Sequence, residues 1–205
     1  MDHADRRCME EYGGIREVKI VLDFDETLFP TLDKVIEIYN KRHNSNITMS
    51  QITTYNLYDC LSPDIADELI ALYVDKTIYN SLLPYKGAVK AVQSLVHKGH
   101  EVYIATATDI KNLEWKETLL QRYFPFVPKE NLIRIHNKKL LNVDVLIEDK
   151  FDNLVQTHAE RICFNQPWNQ QKTKDIAYSI HRINGWNEVA NVISEIERNE
   201  KEWNK

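Results

Sequence analysis

Two carboxylates follow an apolar run near the start of the chain, in the stretch VKIVLDFDETLFPT at residues 18–31. Asp23 and Asp25 are two residues apart, so on an extended strand both side chains point the same way and can reach one ligand. Carboxylates this close repel each other and are costly to desolvate unless a positive charge lies among them. The stretch therefore predicts either a solvated turn or a cation site.

Two later apolar runs also end in polar side chains. HEVYIATAT, residues 100–108, leads to Thr106, and VDVLIED, residues 143–149, ends in Glu148 and Asp149. Helical patterns separate the runs, which is typical of an α/β fold with a parallel sheet. The carboxyl ends of parallel strands open onto one crevice, so these distant groups can meet there. Clustered carboxylates favour Mg²⁺ as the cofactor, because its preferred ligands are oxygens.

Composition limits the classes of protein that the chain can represent. The 205 residues are 43% hydrophobic and 28% charged, with a net charge of -5, which is ordinary for a soluble globular domain. No basic stripe appears, so we expect no nucleic acid polymer as a partner. The sequence starts with polar residues and contains no long apolar run, so we expect no signal peptide and no membrane partner. The three cysteines are scattered without a CxxC pair, and free thiols indicate the cytoplasm.

Periodicity divides the chain into a core and an insertion. Strands are predicted at 18–23, 100–108, 133–135 and 143–149 and from 160, with helices over 32–43, 64–80, 88–99, 111–123 and 186–201. We expect three parts: an N-terminal extension at 1–16, a core of 17–30 and 87–205, and a helical segment at 31–86.

Three short motifs occur in the order of a known superfamily. DFDET resembles the DxDx(T/V) motif of the haloacid dehalogenase (HAD) superfamily, YIATAT its strand ending in Thr or Ser, and LIEDKFDN its strand ending in an acidic pair. LLPYKGAVKAV and the late FNQPWN extend the likeness, over about 18–190, to the 5'(3')-deoxyribonucleotidases of bacteria and phages. The resemblance implies a HAD Rossmann-like parallel sheet flanked by helices, with a small helical cap inserted after the first strand. Residues 1–16 lie outside it.

The resemblance also implies a chemistry. The protein would be a Mg²⁺-dependent phosphatase that hydrolyses (deoxy)nucleoside monophosphates through an aspartyl-phosphate. Asp23 would be the nucleophile, and Asp25 the acid and then the base. Asp23, Asp25 and Asp149 would bind the metal, Asp25 through its backbone carbonyl.

Phosphate contacts are implied for two further residues. Thr106 would hydrogen-bond a phosphate oxygen, although Thr108 leaves the register open by two residues. Lys138 would neutralise the transferring phosphoryl group. We prefer Lys138 to Lys139 because it lies ten residues before Glu148, the spacing associated with the family.

Two acids of the third motif, Glu148 and Asp152, are expected to act behind the metal ligands. Many members carry Asp-Asp where this chain has Glu148-Asp149. The longer Glu148 is therefore expected to act behind the metal ligands, through hydrogen bonds or water. Asp152 would act in the same layer, or would, with Asn153, cap a helix at LVQTHAERI, residues 154–162.

The insertion at 31–86 is expected to set substrate specificity. Tyr55, Tyr58 and Tyr79 could stack on a nucleobase, or could form the small core of the cap itself. The expected partner is a small phosphomonoester, a deoxynucleoside monophosphate, and a homodimer is left open. Alternatives are a HAD phosphatase for a sugar phosphate or phospho-acid, a protein phosphatase, and a non-catalytic HAD-fold binding protein.

Overall fold

The computed structural model describes residues 17–170 and 178–203. Over these residues six parallel strands form one sheet in the order β3-β2-β1-β4-β5-β6. The strands are β1 Lys19–Asp23, β2 Glu101–Thr106, β3 Leu132–Arg134, β4 Val145–Glu148, β5 Glu160–Phe164 and β6 Ile180–Ile183. The parallel α/β sheet expected from the sequence is confirmed.

Helices follow most of the strands. They are α1 Thr31–His43, α2 Pro63–Tyr73, α3 Lys76–Ser81, α4 Ala88–His97, α5 Ile110–Tyr123, α6 Phe151–Val155 and α7 Val189–Trp203. Single 3-10 turns occupy Met49–Gln51, Leu57–Asp59, Lys129–Asn131, Lys138–Leu140 and Pro167–Asn169. In the described ranges, no helix has both the length and the apolar character needed to cross a bilayer.

The first strand lies in the middle of the sheet. Ile20, Val21 and Leu22 are fully buried, because β1 is flanked by β2 and β4 and both faces of the sheet are covered. The register pairs Leu22 with Ile104 of β2 and with Ile147 of β4. The polar ends of these three strands consequently lie side by side.

The helix predicted over 64–80 is wrong, because the structure has two helices there, α2 and α3. Asp75 separates them, since its carboxylate accepts a hydrogen bond from the backbone N–H of Thr77 at 2.9 Å and caps α3. An N-cap residue has non-helical dihedral angles, so it ends one helix where it begins the next.

Two further differences concern the far half of the sheet. The helix expected at 154–162 is wrong: α6 ends at Val155, where the guanidinium of Arg161 donates to the carbonyl oxygens of Leu154 and Thr157 at 2.9 and 2.7 Å. Strand β6 was not predicted. Of its four residues only Ile183 is buried, so the sequence lacks the apolar signal of an inner strand.

Helices α1 to α3 form the segment between β1 and α4, and backbone carbonyl oxygens take part in two of the contacts that join this segment to the rest. At its base, the backbone N–H of Tyr85 donates to the carbonyl oxygen of Leu28 at 2.9 Å. At its far side, the side-chain amide of Asn112 on α5 donates to the carbonyl oxygen of Tyr73 at 3.1 Å. The division into core and cap stays a prediction, and the extension at 1–16 lies outside the described residues.

Candidate active site

A buried lysine joins two acids at the carboxyl ends of β1 and β4. The ammonium group of Lys138 donates to the carboxylates of Asp23 and Glu148. All three side chains are at least nine-tenths buried. Lys139 is exposed on the same turn. The structure therefore places Lys138, the preferred residue of the two, against the predicted nucleophile.

Burial and charge perturb both members of this ion pair. Burial and then the charge of Glu148 raise the pKa of Asp23 to about 7, although Lys138 acts in the opposite direction. Burial alone would lower the pKa of Lys138, but the charges of Asp23 and Glu148 outweigh it and raise that pKa. The lysine therefore stays charged, and it stabilises the ionised form of Asp23 against the effect of burial.

Asp149 completes a carboxylate cluster. Ligand atoms of Asp23, Glu148 and Asp149 all lie within 4.8 Å of one another. Burial and the charges of Glu148 and Asp23 hold the pKa of Asp149 well above its usual range. Three buried acids lie beside one lysine, which contacts only Asp23 and Glu148, so their negative charge is not fully balanced. Carboxylate oxygens are hard ligands, and this cluster could hold a metal ion that prefers oxygen.

Hydrogen bonds distinguish Glu148 from the other two acids. Its carboxylate accepts from the backbone N–H of Lys150 at 3.0 Å and from the side-chain amide of Asn153 at 3.1 Å, in addition to Lys138. Asp149 accepts from the indole N–H of Trp168 at 2.9 Å. Glu148 thus has the smaller share of its oxygen lone pairs free for a metal.

Asp25 lies beside the cluster and faces a different lysine. Its carboxylate accepts from the hydroxyl of Thr31 at 2.7 Å and from the ammonium group of Lys116. The side chain is 27% exposed, so it keeps access to the cleft. The carboxylate is not part of the metal-type cluster, so the predicted contact of Asp25 with the metal rests on its backbone carbonyl alone.

Thr106 ends β2, as the favoured register predicts. Its side chain is fully buried, and its hydroxyl oxygen accepts from Lys116 at 2.8 Å. Thr108 lies beyond the strand, where its carbonyl oxygen accepts from Arg134 at 2.6 Å. Thr106 is therefore linked to Asp25 through a shared lysine.

Tyr55 is the first of the three tyrosines that were predicted to contact the substrate. Tyr55 is 59% exposed, and the ammonium group of Lys150 lies 4.1 Å from its ring centroid. Burial and the charges of Asp149 and Asp23 raise the pKa of its hydroxyl group, so this group lies within electrostatic range of the acids. Tyr55 thus borders the acids.

Tyr79 and Tyr58 make contacts within the protein instead. The hydroxyl of buried Tyr79 donates to the carbonyl oxygen of Tyr73 at 3.0 Å, and that of exposed Tyr58 donates to Asp67 at 2.5 Å. Asp152 is exposed in the first turn of α6, and no contact between described residues joins it to the cluster. Their predicted roles gain no support from these positions.

Sequence reasoning missed the group that supports the first motif. Glu26 is buried with φ of 56°, accepts from the backbone N–H of Leu32 in the first turn of α1, and accepts from Tyr85 at 3.4 Å. Burial holds its pKa well above the usual range. Gln166 donates to the Glu26 carbonyl oxygen at 2.8 Å and to the Tyr85 hydroxyl at 3.0 Å. Nothing in the sequence around Glu26 signals this network.

The late motif FNQPWN supports the family resemblance in the sequence, but the sequence does not predict its contacts with the site. Asn169 donates to the carbonyl oxygen of Asp149 at 2.7 Å, and Trp168 donates to its carboxylate. The segment therefore fixes the orientation of Asp149 from the β5 side of the sheet.

The two adjacent lysines allow a direct test of this geometry. We expect Lys138→Ala to lower kcat/KM on the order of 10²-fold, the usual loss when one charge-stabilising donor is removed. Lys139→Ala, the exposed neighbour, should leave it unchanged. Steady-state kinetics with p-nitrophenyl phosphate gives both values, and melting curves show whether each variant is folded. A larger loss for Lys139→Ala would mean that the loop lies one residue out of register.

A family model now decides the affiliation that the motifs and geometry suggest. The family described as 5' nucleotidase, deoxy (pyrimidine), cytosolic type C protein (NT5C) matches residues 16–199. The chain belongs to this family. Its members are nucleotidases, and membership identifies the chain as a phosphoric monoester hydrolase. The resemblance drawn from the motifs is confirmed.

Two relatives and a solved structure agree with this affiliation. A 5'(3')-deoxyribonucleotidase of Clostridium acetobutylicum is 27% identical over 154 residues, 75% of this chain and 84% of the relative. One of Bacillus subtilis is 24% identical over 176 residues, 83% of this chain and 95% of the relative. A HAD family hydrolase from Deinococcus radiodurans was solved with bound phosphate and sodium, and it superposes on this chain with a TM-score of 0.64 at 12% sequence identity. The superposition covers 89% of this chain and 97% of the hydrolase. The NT5C-type chain therefore has the HAD fold.

Proposed function

We propose that this NT5C-family protein is a Mg²⁺-dependent phosphatase that hydrolyses deoxynucleoside monophosphates through an aspartyl-phosphate on Asp23. The observation that carries the proposal is the contact of Asp23 with Lys138 beside Asp149, at the crevice where three parallel strands end. A carboxylate, a buried ammonium group and a cation-type cluster are the groups that phosphoryl transfer requires.

The position of Asp23 supports the proposed role of nucleophile. Asp23 lies at the end of a rigid inner strand, and its carboxylate oxygen is held by Lys138. Raising its pKa by burial makes the carboxylate more basic and hence more nucleophilic. Lys138 stays charged and offsets the negative charge that develops when Asp23 attacks phosphorus.

The position of Asp25 supports the proposed role of acid and then base. Asp25 lies two residues further along, outside the carboxylate cluster and partly exposed to the cleft. In the first half of the reaction it would protonate the leaving sugar oxygen, and in the second it would take a proton from water. Thr106, buried at the end of β2, would donate its hydroxyl proton to a phosphate oxygen.

Asp149 and Asp23 would hold the metal, with Asp25 through its carbonyl and Glu148 behind them. Bound Mg²⁺ supplies positive charge that polarises the phosphate and reduces repulsion between phosphate and carboxylates. Trp168 and Asn169 would keep Asp149 in its orientation.

The segment at 31–86 would act as a cap and select the substrate. Tyr55 supports this role, because the charges of the acids act on its hydroxyl group while the residue stays 59% exposed. A nucleobase attached to the bound phosphate could stack there, which contributes on the order of 1–3 kcal/mol per base in single-strand binders. The preference for deoxyribose and pyrimidine rests on the names of the family and its relatives.

A substrate panel tests the proposal. We expect dUMP and dTMP to exceed glycerol phosphate in kcat/KM by roughly 5- to 150-fold, the factor that corresponds to stacking expressed in the transition state. UMP, a hexose phosphate and a phosphoserine peptide complete the panel, with phosphate release measured with and without Mg²⁺. Tyr55→Ala should reduce the preference for nucleotides more than the activity on p-nitrophenyl phosphate.

Each alternative has its own result in this panel. Leading activity on the hexose phosphate or the peptide would refute the nucleotidase proposal and leave a general phosphatase. Absence of hydrolysis for every ester would favour a non-catalytic binding protein. The cytoplasmic location and the homodimer stay predictions from the sequence.

A further inference from the structure

Lys116 is a buried lysine that none of the three motifs contains. It lies on α5, in the helix after β2, and is 1% exposed. A buried ammonium group is costly unless its hydrogen bonds are satisfied by acceptors or opposite charge. Its position therefore has to be explained by what it contacts.

The contacts of Lys116 all lie at the first and second motifs. Its ammonium group donates to the carboxylate of Asp25 and, at 2.8 Å, to the hydroxyl oxygen of Thr106. It also lies 4.6 Å from the ring centroid of Phe24, the residue between the two acids. The lysine thus spans from the acid of β1 to the end of β2.

Both oxygens of the Asp25 carboxylate are fixed by this arrangement. One accepts from Lys116 and the other from the hydroxyl of Thr31, so rotation of the carboxylate would break at least one hydrogen bond. The side chain keeps 27% of its surface exposed. Asp25 is consequently held in one orientation while it stays open to a ligand.

The two buried lysines contact different acids of the first motif. Lys138 contacts Asp23 and Glu148, whereas Lys116 contacts Asp25 and Thr106. Each acid of the DFD stretch therefore has an ammonium group of its own. The separation suggests that the two lysines serve different steps.

We propose that Lys116 is a positioning residue for the acid step: it holds the Asp25 carboxyl group against the leaving oxygen of the substrate. This rests on the proposed function. When the bond from Asp23 to phosphorus forms and the ester bond breaks, the leaving oxygen takes the Asp25 proton, and Lys116 stabilises the resulting carboxylate. Water then gives its proton to Asp25 as its oxygen attacks phosphorus and the bond to Asp23 breaks.

The dependence on the leaving group tests this role. A nucleoside alkoxide needs protonation, whereas p-nitrophenolate leaves without it. We expect Lys116→Met, which keeps the apolar stem, to lower kcat/KM for dUMP on the order of 10²-fold, as misplacement of a catalytic group does. For p-nitrophenyl phosphate the loss should stay below about 5-fold, because kcat/KM reports only the steps through formation of the phosphoenzyme.

Three controls make the result specific. Lys111→Met, an exposed lysine on the same helix, should change neither substrate. Asp25→Asn should show the same selective loss, and adding Lys116→Met to it should cause little further loss for dUMP, because both changes remove one function. Lys116→Gln, which keeps a shorter donor, is judged by the same ratio of the two substrates should the Met variant fail to fold.

Equal losses for both substrates would overturn the proposal, since Lys116 would then act through Thr106 on the phosphate or through the fold. Fully additive losses in the Asp25→Asn background would do the same. If the wild type hydrolyses p-nitrophenyl phosphate but no nucleotide, the proposed substrate is wrong, while the proposed role of Lys116 can still be tested. The ratio is then measured with the best alkyl phosphate of the panel.

Discussion

Asp23→Asn is expected to abolish turnover while the protein stays folded. The amide has the shape of the carboxylate but cannot attack phosphorus as an anion, so kcat should fall by more than about 10³-fold, or over about 4 kcal/mol in the barrier. The melting temperature should stay equal or rise, because burial and Glu148 disfavour the charge of Asp23. Phosphate release and thermal melting measure the two effects.

Asp64→Asn supplies the matched control, since Asp64 is exposed in the first turn of α2. It should leave both measurements unchanged. Retention of more than about a tenth of wild-type kcat by Asp23→Asn, a loss below 1.4 kcal/mol, would rule out covalent catalysis at Asp23.

Asp149→Ala should cause the second largest loss. It removes a proposed metal ligand, so we expect kcat/KM to fall on the order of 10³-fold at saturating Mg²⁺, the several kcal/mol that a metal supplies. Glu148→Gln should lose only about 10- to 100-fold, as changes to residues behind metal ligands do. Titrating activity with Mg²⁺ compares them.

Melting curves add a readout that does not depend on activity. Mg²⁺ should raise the melting temperature of the wild type, because a ligand that binds only the folded state stabilises it. Asp149→Ala should lose this shift. Asp152→Ala removes an exposed acid in the first turn of α6, three residues further along the chain, and should keep the shift. Equal behaviour of the variants at 148 and 149 would contradict the assignment of Asp149 as the ligand.

The residues at strand ends were within reach of sequence reasoning. Asp23, Thr106 and Asp149 each follow an apolar run, and in a parallel sheet such ends must converge. Lys138 lies on a 3-10 turn, and it was assigned from the family resemblance, which gives the spacing of ten residues to Glu148. The fold and the acids at the strand ends therefore follow from patterns along the chain, whereas the lysine follows from the resemblance.

Residues that reach the site from helices and loops were not predictable in this way. Lys116 lies in KNLEWKETLL, where a lysine usually faces solvent, and its burial depends on contacts with Asp25 and Thr106, which are distant in sequence. Glu26 is buried because the chain turns with positive φ to cap α1. Tyr58 illustrates the converse: aromatic character alone could not tell a ligand contact from a bond to Asp67.

The central position of β1 also bears on how the chain folds. The apolar run of β1 is synthesised before the residues that it contacts in the folded protein. Lys138 follows much later in the chain, and Gln166 lies 140 residues beyond Glu26, to which it donates a hydrogen bond. Pairings this distant form slowly, and an unpaired apolar strand can associate with other chains meanwhile. Asp23, Asp25 and Glu26 are charges that directly follow the strand, and charged residues in that place disfavour aggregation of an apolar strand. Two of the three, Asp23 and Asp25, are the acids proposed for catalysis, so the same charges bear on folding and on chemistry.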